Sequence, residues 1–143
     1  MSFASSLRIS ASGLTAQRLR MDVVSGNIAN LQTTRTTAGG PYKRREVVFS
    51  ASPARGGVVP AVNRGVNPTG VRVAGVVENG GTRLVSDPSH PDADENGIVA
   101  YPDIDLVQEM TDMMSAVRAY EASVAALNAA KSMAVRALDL GKV

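Results

Sequence analysis

The residues with the most chemical potential lie in "HPDADENGIVAYPDID", residues 90–105. Asp92, Asp94, Asn96 and Gly97 satisfy the first half of a calcium loop, where alternate side-chain oxygens ligate and a glycine allows the sharp turn. Position eight of such a loop is Val99, and position twelve is Asp103, a carboxylate where an EF-hand usually has Glu. An EF-hand also needs a helix entering the loop. The preceding "VSDPSHP" carries Pro88 and Pro91 where that helix would run, and Pro102 interrupts the loop just before position twelve. The stretch therefore reads as a turn closed by Asn96-Gly97, a short extended "IVAYP" segment and a helix N-cap. No metal ligand is expected. A calcium-regulated binding module, ligating through Asp92, Asp94, Asn96 and Asp103, is the first rival reading.

Catalytic chemistry is poorly supplied. His90 is the only histidine and reads as a solvated turn residue; a Ser/His/Asp arrangement would need a nucleophile elbow, and no G-x-S-x-G occurs. Gly39-Gly40 and Gly56-Gly57 lack the spacing and helix-opening context of a phosphate loop. With no cysteine there is no thiolate nucleophile, thiolate metal site or disulfide. The expectation is a non-enzyme with no catalytic residue and no cofactor. Lys43-Arg44-Arg45 begins a strand with only Tyr42 as a neighbouring aromatic, so it reads as a solvated or subunit-facing patch. A basic nucleic-acid-binding protein, its affinity falling steeply with salt, is the second rival. Met110, Met113, Met114 and Met133 could form an adaptable groove; at helical spacing they read as ordinary packing residues.

These residues must be held by elements of unusual composition. The 143 residues include two Phe, three Tyr and no Trp, so an isolated core has few large side chains to fill it. Stability is expected from helix-on-helix packing or from partner subunits. No apolar run has the length of a signal peptide or a membrane span. The net charge of +2 conceals an asymmetry: residues 1–86 carry eleven basic and three acidic side chains, residues 87–143 four basic and ten acidic. That pattern reads as mutual attraction between the two ends of the chain or between neighbours.

The fold class is α+β: long N- and C-terminal helices pairing as a coiled-coil-like stalk, with a small β-rich middle. From Asp105 to Leu140 there is no Gly or Pro. Leu106, Met110, Met113, Val117, Tyr120, Val124 and Leu127 alternate spacings of four and three, the pattern of a coiled-coil seam, and after Lys131 it resumes at Ala134 and Leu138. Asp105 with Gln108 resembles a capping box, and Gly141 follows the last turn. At about 1.5 Å per residue such a helix is roughly 54 Å long. At the other end, Leu7, Leu14, Met21 and Ile28 fall seven apart, with Ala11, Val24 and Leu31 filling the seam. Gly13 and Gly26 each weaken this helix by about 1 kcal/mol relative to Ala, so it needs a partner over its apolar stripe. Arg8, Arg18 and Arg20 suit pairing with the acidic start of the C-terminal helix. Three segments follow: residues 1–31, the N-terminal helix; 32–104, a loop and β-hairpin region; 105–143, the C-terminal helix. In the middle, "EVVFSA" reads as a strand, residues 52–70 as loop with short extended pieces, and "VRVAGVVENGGTRLVS" as a hairpin turning at Asn79-Gly80.

Two blocks carry more than periodicity: "SGLTAQRLRMDVVSGNIANLQTTRTTAGGPYKRREVVF", residues 12–49, and "HPDADENGIVAYPDIDLVQEMTDMMSAVRAYEASVAALNAAKSMAVRALDLG", residues 90–141. Together they resemble the FlgC family of flagellar basal-body rod proteins, components of the proximal rod. The pieces that carry the resemblance are Asn27-Ile28-Ala29-Asn30, Gly39-Gly40-Pro41-Tyr42, and the turn with His90, Pro91, Asp92, Asp94, Asn96 and Gly97. The resemblance implies a structural subunit whose paired terminal helices line a hollow shaft that transmits torque from motor to hook and serves as export channel. It implies subunit packing through Leu7, Leu14, Met21 and Ile28 and through the C-terminal seam of Leu106, Met110, Met113, Val117, Tyr120, Val124, Leu127 and Leu138. It further implies that Asn27 to Asn30 mark the exit from the inner helix, their side chains satisfying freed backbone groups. The partners implied are other rod proteins, copies of the chain itself and the flagellar type III export apparatus, with no nucleic acid and no membrane insertion. Export without a cleaved signal and assembly in the periplasm are implied as well. The alanine-heavy "ASVAALNAA" departs from the family's larger terminal-helix residues and suits close helix approach.

Overall fold

The computed structural model describes residues 3–52 and 70–141. In chain order the elements are α1 (Phe3–Ala29), β1 (Arg45–Ala51), β2 (Val71–Glu78), β3 (Thr82–Ser86), β4 (Ile98–Pro102) and α2 (Leu106–Leu140). This is the expected α+β class: two long terminal helices pair, and a small antiparallel β region lies between them in sequence. Of the loop with extended pieces anticipated over residues 52–70, everything between Ser52 and Gly70, including Gly56-Gly57, lies outside the described residues.

The chain forms two compact units, each with segments of both helices. The first comprises Met1–Leu19, Val48–Gly75 and Ala116–Val143. Its core is made of small residues: Ala16, Ala116 and Ala130 are buried. A Cβ at Gly13 would lie 3.2 Å from Ser123 Oγ, so the helices approach closely there and a larger side chain would require Ser123 to give way. Ser12 fastens β2 to α1, its Oγ donating to the Ile9 carbonyl at 2.7 Å and accepting the Val71 N–H at 3.1 Å.

The second unit comprises Arg20–Val47 and Val76–Ser115. Here β3 and β4 pair antiparallel, from Thr82 opposite Pro102 to Ser86 opposite Ile98. In β4 Val99 and Pro102 are buried, while β3 leaves Leu84 exposed. The turn joining these strands is the acidic stretch. Gly97, at φ +72°, donates to the Asp94 carbonyl and accepts from Asp87 N–H, and its backbone packs against Pro88. Asp105 caps α2, its Oδ1 accepting the N–H groups of Val107 at 2.8 Å and Gln108 at 3.4 Å.

Two expectations need correction. The hairpin turning at Asn79-Gly80 does not form: β2 pairs with β1, and β3 with β4, in separate two-stranded sheets. The three residues between β2 and β3 change partners instead. Asn79 N–H donates to the Arg44 carbonyl, and the Gly81 carbonyl accepts from Asp103 N–H. A Cβ at Gly80 would sit 2.7 Å from the Arg44 backbone nitrogen, so that glycine serves close passage past Arg44 and not a two-residue turn.

The second correction concerns register. The buried positions of α2 are Glu109, Ala116 and Ala130, a seven-residue repeat one position before the line of Met110, Val117 and Lys131. In the first unit this line holds the small residues Ala116 and Ala130, which suit close helix approach; in the second it holds the buried carboxylate Glu109. The larger apolar residues flank it or face away.

Candidate functional site

The most constrained cluster is a polar knot in the second unit, built where α1 ends and α2 begins. Asn27, in the last turns of α1, is fully buried. Its Nδ2 donates to the Arg45 carbonyl at 2.8 Å, and its Oδ1 accepts the Arg45 N–H at 2.9 Å. The side-chain amide thus imitates a strand partner for the first residue of β1. The remaining capacity is also used: Nδ2 donates to Glu109 Oε2 at 3.0 Å, and Oδ1 accepts from the Tyr42 hydroxyl at 3.1 Å. Two donors and two acceptors are engaged, which is all a side-chain amide has.

Glu109 is the charged member. It lies in the first turn of α2, where the helix dipole favours a carboxylate, but it is buried and requires compensation. Its Oε1 meets Arg44 Nε at 2.6 Å. The same guanidinium reaches Asp112 Oδ2 at 3.6 Å and Glu46 Oε2 at 3.7 Å. Asp112 Oδ1 in turn accepts from Arg20 Nη2 of α1 at 2.8 Å. Arg20 therefore makes a helix-to-helix ion pair of the kind its charge suggested. Arg45 turns outward, 5.7 Å from the Tyr42 ring centroid, and pairs with Glu78 at 3.4 Å. Burial raises the Tyr42 phenol above its ordinary pKa; the Arg45 charge opposes this, while Glu78 and Glu109 add to it.

Asn30 closes the end of α1, its Nδ2 donating to the Gly26 carbonyl at 2.9 Å and its Oδ1 accepting from Thr33 at 3.1 Å. Both asparagines of "NIAN" thus satisfy backbone or neighbouring polar groups as expected, although Asn27 serves β1 and not the helix end. Gly39 and Gly40, both at positive φ, form the tip of the following loop, which Thr36 closes by hydrogen bonding to Gly40. Ile28 is half-buried, Ala29 exposed, and Pro41 half-buried beside Tyr42.

The calcium-like stretch uses its carboxylates internally. Asp92 accepts from Thr34 Oγ1 at 2.8 Å and lies 3.4 Å from Arg35 Nε. Asp94 Oδ1 accepts the N–H groups of Asn96 and Ile98. Asp103 lies beside Gly81. Among the described residues, no group of three His, Asp or Glu converges as a metal site. His90 is not the solvated residue expected. It is half-buried, accepts the Asp92 N–H on Nδ1 at 3.1 Å and stacks edge-on against Tyr101, centroids 6.0 Å apart. Pro91 is exposed.

The seam residues divide. Leu7, Leu14, Met21 and Ile28 are half-buried, as are Met113, Tyr120, Val124 and Leu127. Leu106, Met110, Val117 and Leu138 are exposed, as are Met114 and Met133, which do not pack within the chain as ordinary core methionines would. The exposed members of the seam, Leu106, Met110, Val117 and Leu138, form an apolar face on α2 that the described residues leave open.

The flagellar basal-body rod protein FlgC of Borreliella burgdorferi is 44% identical over 150 residues, covering 98% of this chain and 98% of that protein. The chain belongs to the FlgC family. The Bacillus subtilis relative of the same description is 42% identical, covering 96% of this chain and 97% of its own, and the Salmonella typhimurium relative is 38% identical over 94% of each. Two family models match: "Flagella basal body rod protein" over residues 7–35 and "Flagellar basal body rod FlgEFG protein C-terminal" over residues 95–140. In this FlgC-family chain the knot ties the two matched segments together, since Asn27 and Arg20 lie in one, Glu109 and Asp112 in the other. Sequence reading missed Arg44 and Glu109. The available signal was a lone Glu on the same heptad line as Ala116 and Ala130, with a run of arginines elsewhere to neutralise it.

Proposed function

We propose that this rod subunit packs into a hollow helical shaft that transmits torque from motor to hook and serves as export channel. The observation that carries the reading is full-length similarity to FlgC proteins in a chain whose longest helix leaves Leu106, Met110, Val117 and Leu138 exposed. An apolar face of that kind is stable once neighbours cover it. Leu7, Leu14, Met21 and Ile28, with the C-terminal seam, carry the packing between subunits, and the role is mechanical, with no chemistry at the knot. Neighbours are other rod proteins and copies of this chain. The export reading has the chain pass unfolded through the flagellar type III apparatus, without a cleaved signal, and assemble in the periplasm. No described helix is long and apolar enough to cross a membrane.

The test is a basal-body preparation from flagellated cells carrying a tagged copy as their sole source of the protein. Retention of the tag through high-salt washing supports the reading. Loss of the tag from intact basal bodies, in cells that still swim, overturns it.

A further inference from the structure

Asparagine precedes glycine twice in the chain, at Asn79-Gly80 and at Asn96-Gly97, and both asparagines are exposed. This dipeptide is the one most open to spontaneous loss of a side-chain amide, because no Cβ shields the glycine nitrogen from the neighbouring asparagine Cγ. Ring closure needs a glycine N–H without a hydrogen-bond partner and an asparagine free to rotate about ψ. Both pairs belong to the second unit, and its fold treats them differently.

Asn96-Gly97 is tied down. Gly97 N–H donates to the Asp94 carbonyl at 2.9 Å, while Asn96 N–H and Ile98 N–H both donate to Asp94 Oδ1, at 2.9 Å and 2.8 Å. Gly97 is further held by its packing against Pro88. Asn79-Gly80 lies in the link between β2 and β3. Asn79 N–H donates to the Arg44 carbonyl at 2.8 Å, but rotation about ψ of Asn79 leaves that bond in place. Among the described residues nothing accepts the Gly80 N–H, the nitrogen that would attack.

We propose that Asn79 is a site of spontaneous modification, converting through a cyclic imide to aspartate and isoaspartate, while the turn around Asn96 protects the second pair. The Gly80 nitrogen gives up its proton and bonds to Asn79 Cγ. The Cγ–Nδ2 bond breaks, and Nδ2 departs as ammonia with the proton that Gly80 released. Water then opens the imide at either carbonyl. Opening at Cγ leaves aspartate; opening at the main-chain carbonyl leaves isoaspartate, whose backbone is longer by a methylene. That extra length falls where the chain has no slack. Asn79 N–H is fixed to the Arg44 carbonyl, the Gly81 carbonyl accepts the Asp103 N–H at 3.1 Å, and a Cβ at Gly80 would already lie 2.7 Å from the Arg44 nitrogen. Arg44 is the cation that meets Glu109 at 2.6 Å, so isoaspartate at position 79 loosens the knot.

The full chain is incubated in mildly alkaline buffer, both folded and in urea. Deamidation at each asparagine is followed by peptide mass spectrometry, and isoaspartate is scored by enzymatic carboxyl methylation. In the folded chain Asn79 is expected to react at least about tenfold faster than Asn96, because closure at Gly97 must first break its hydrogen bonds to Asp94. In urea the two rates should converge. Equal rates in the folded chain, faster loss at Asn96, or a ratio that urea leaves unchanged would each overturn the proposal, the last because local sequence alone would then set the ratio. The isoaspartate form, separated by ion exchange, is expected to unfold at lower urea than the unmodified chain; an unchanged midpoint refutes the link to Arg44. Asn79→Gln, whose longer side chain closes far more slowly, should abolish the early product and keep the native unfolding midpoint. An early product that persists in this variant would place the reaction at another residue.

Discussion

Asn27 Nδ2 and Glu109 Oε2 meet at 3.0 Å, 82 positions apart in sequence and both fully buried. That contact joins the end of one long helix to the start of the other, and through Arg45 it sets where β1 begins.

Replacing Asn27 by Ala strands the Arg45 backbone N–H and carbonyl, the Tyr42 hydroxyl and half of the Glu109 carboxylate. At about 1–3 kcal/mol for each buried group left unsatisfied, partly relieved by entering water, a loss of about 3 kcal/mol is expected. Asn27→Asp should be at least as damaging, since it sets a second carboxylate beside Glu109. Urea unfolding of the full chain measures both. An Ala variant within about 0.5 kcal/mol of native would mean that the knot does not support the fold.

Arg44→Ala leaves Glu109 buried without its cation and should cost about 3–5 kcal/mol, whereas Glu109→Gln removes the charge with it and should cost less. In the Arg44→Ala/Glu109→Gln double variant the two losses should be clearly less than additive. Additive losses would show that Arg44 and Glu109 act independently.

Gly97→Ala meets two obstacles, a positive φ and Pro88 Cγ at 2.9 Å from the new Cβ. Gly39→Ala meets only the first, with nothing within 4 Å. Melting temperatures should fall further for Gly97→Ala. An equal fall would mean that Pro88 yields freely and the packing of the acidic turn is loose.

Tyr42 has its folded pKa raised above the ordinary 10.0, chiefly by burial. A raised folded value means that its contribution to stability is complete below the unfolded pKa and declines as pH climbs through the folded one. Absorbance titration should show a phenol ionising above the ordinary tyrosine range, and Tyr42→Phe should remove that step. If that raised step survives the substitution, the assignment is wrong.

Hydrogen exchange should be slowest around Asn27, Val99, Glu109 and Ala116 and fastest toward the C-terminal end of α2, where Leu138 and Leu140 are 70% and 79% exposed. Uniform protection along α2 in the isolated chain would indicate packing of its last turns that the fold does not provide.

Local physics made much of this protein readable before folding. Helix periods, proline and glycine punctuation, the Asp105 cap and the asparagine-rich exit from α1 depend on neighbours a few positions apart, and the resemblance carried by residues 12–49 and 90–141 identified the family. Tertiary structure decided what depends on distant partners. A Val-rich run beside Asn79-Gly80 is compatible with a hairpin; only the proximity of the Arg44 backbone and of Asp103 sends β2 and β3 into different sheets. A heptad of large apolar residues suggests a seam, yet the closest helix approach selects Ala16, Ala116 and Ala130. Arg44 and Glu109 look like surface charges in isolation. Their burial becomes tolerable only once Asn27, Asp112 and Arg20 converge to satisfy them, and no local pattern encodes that meeting.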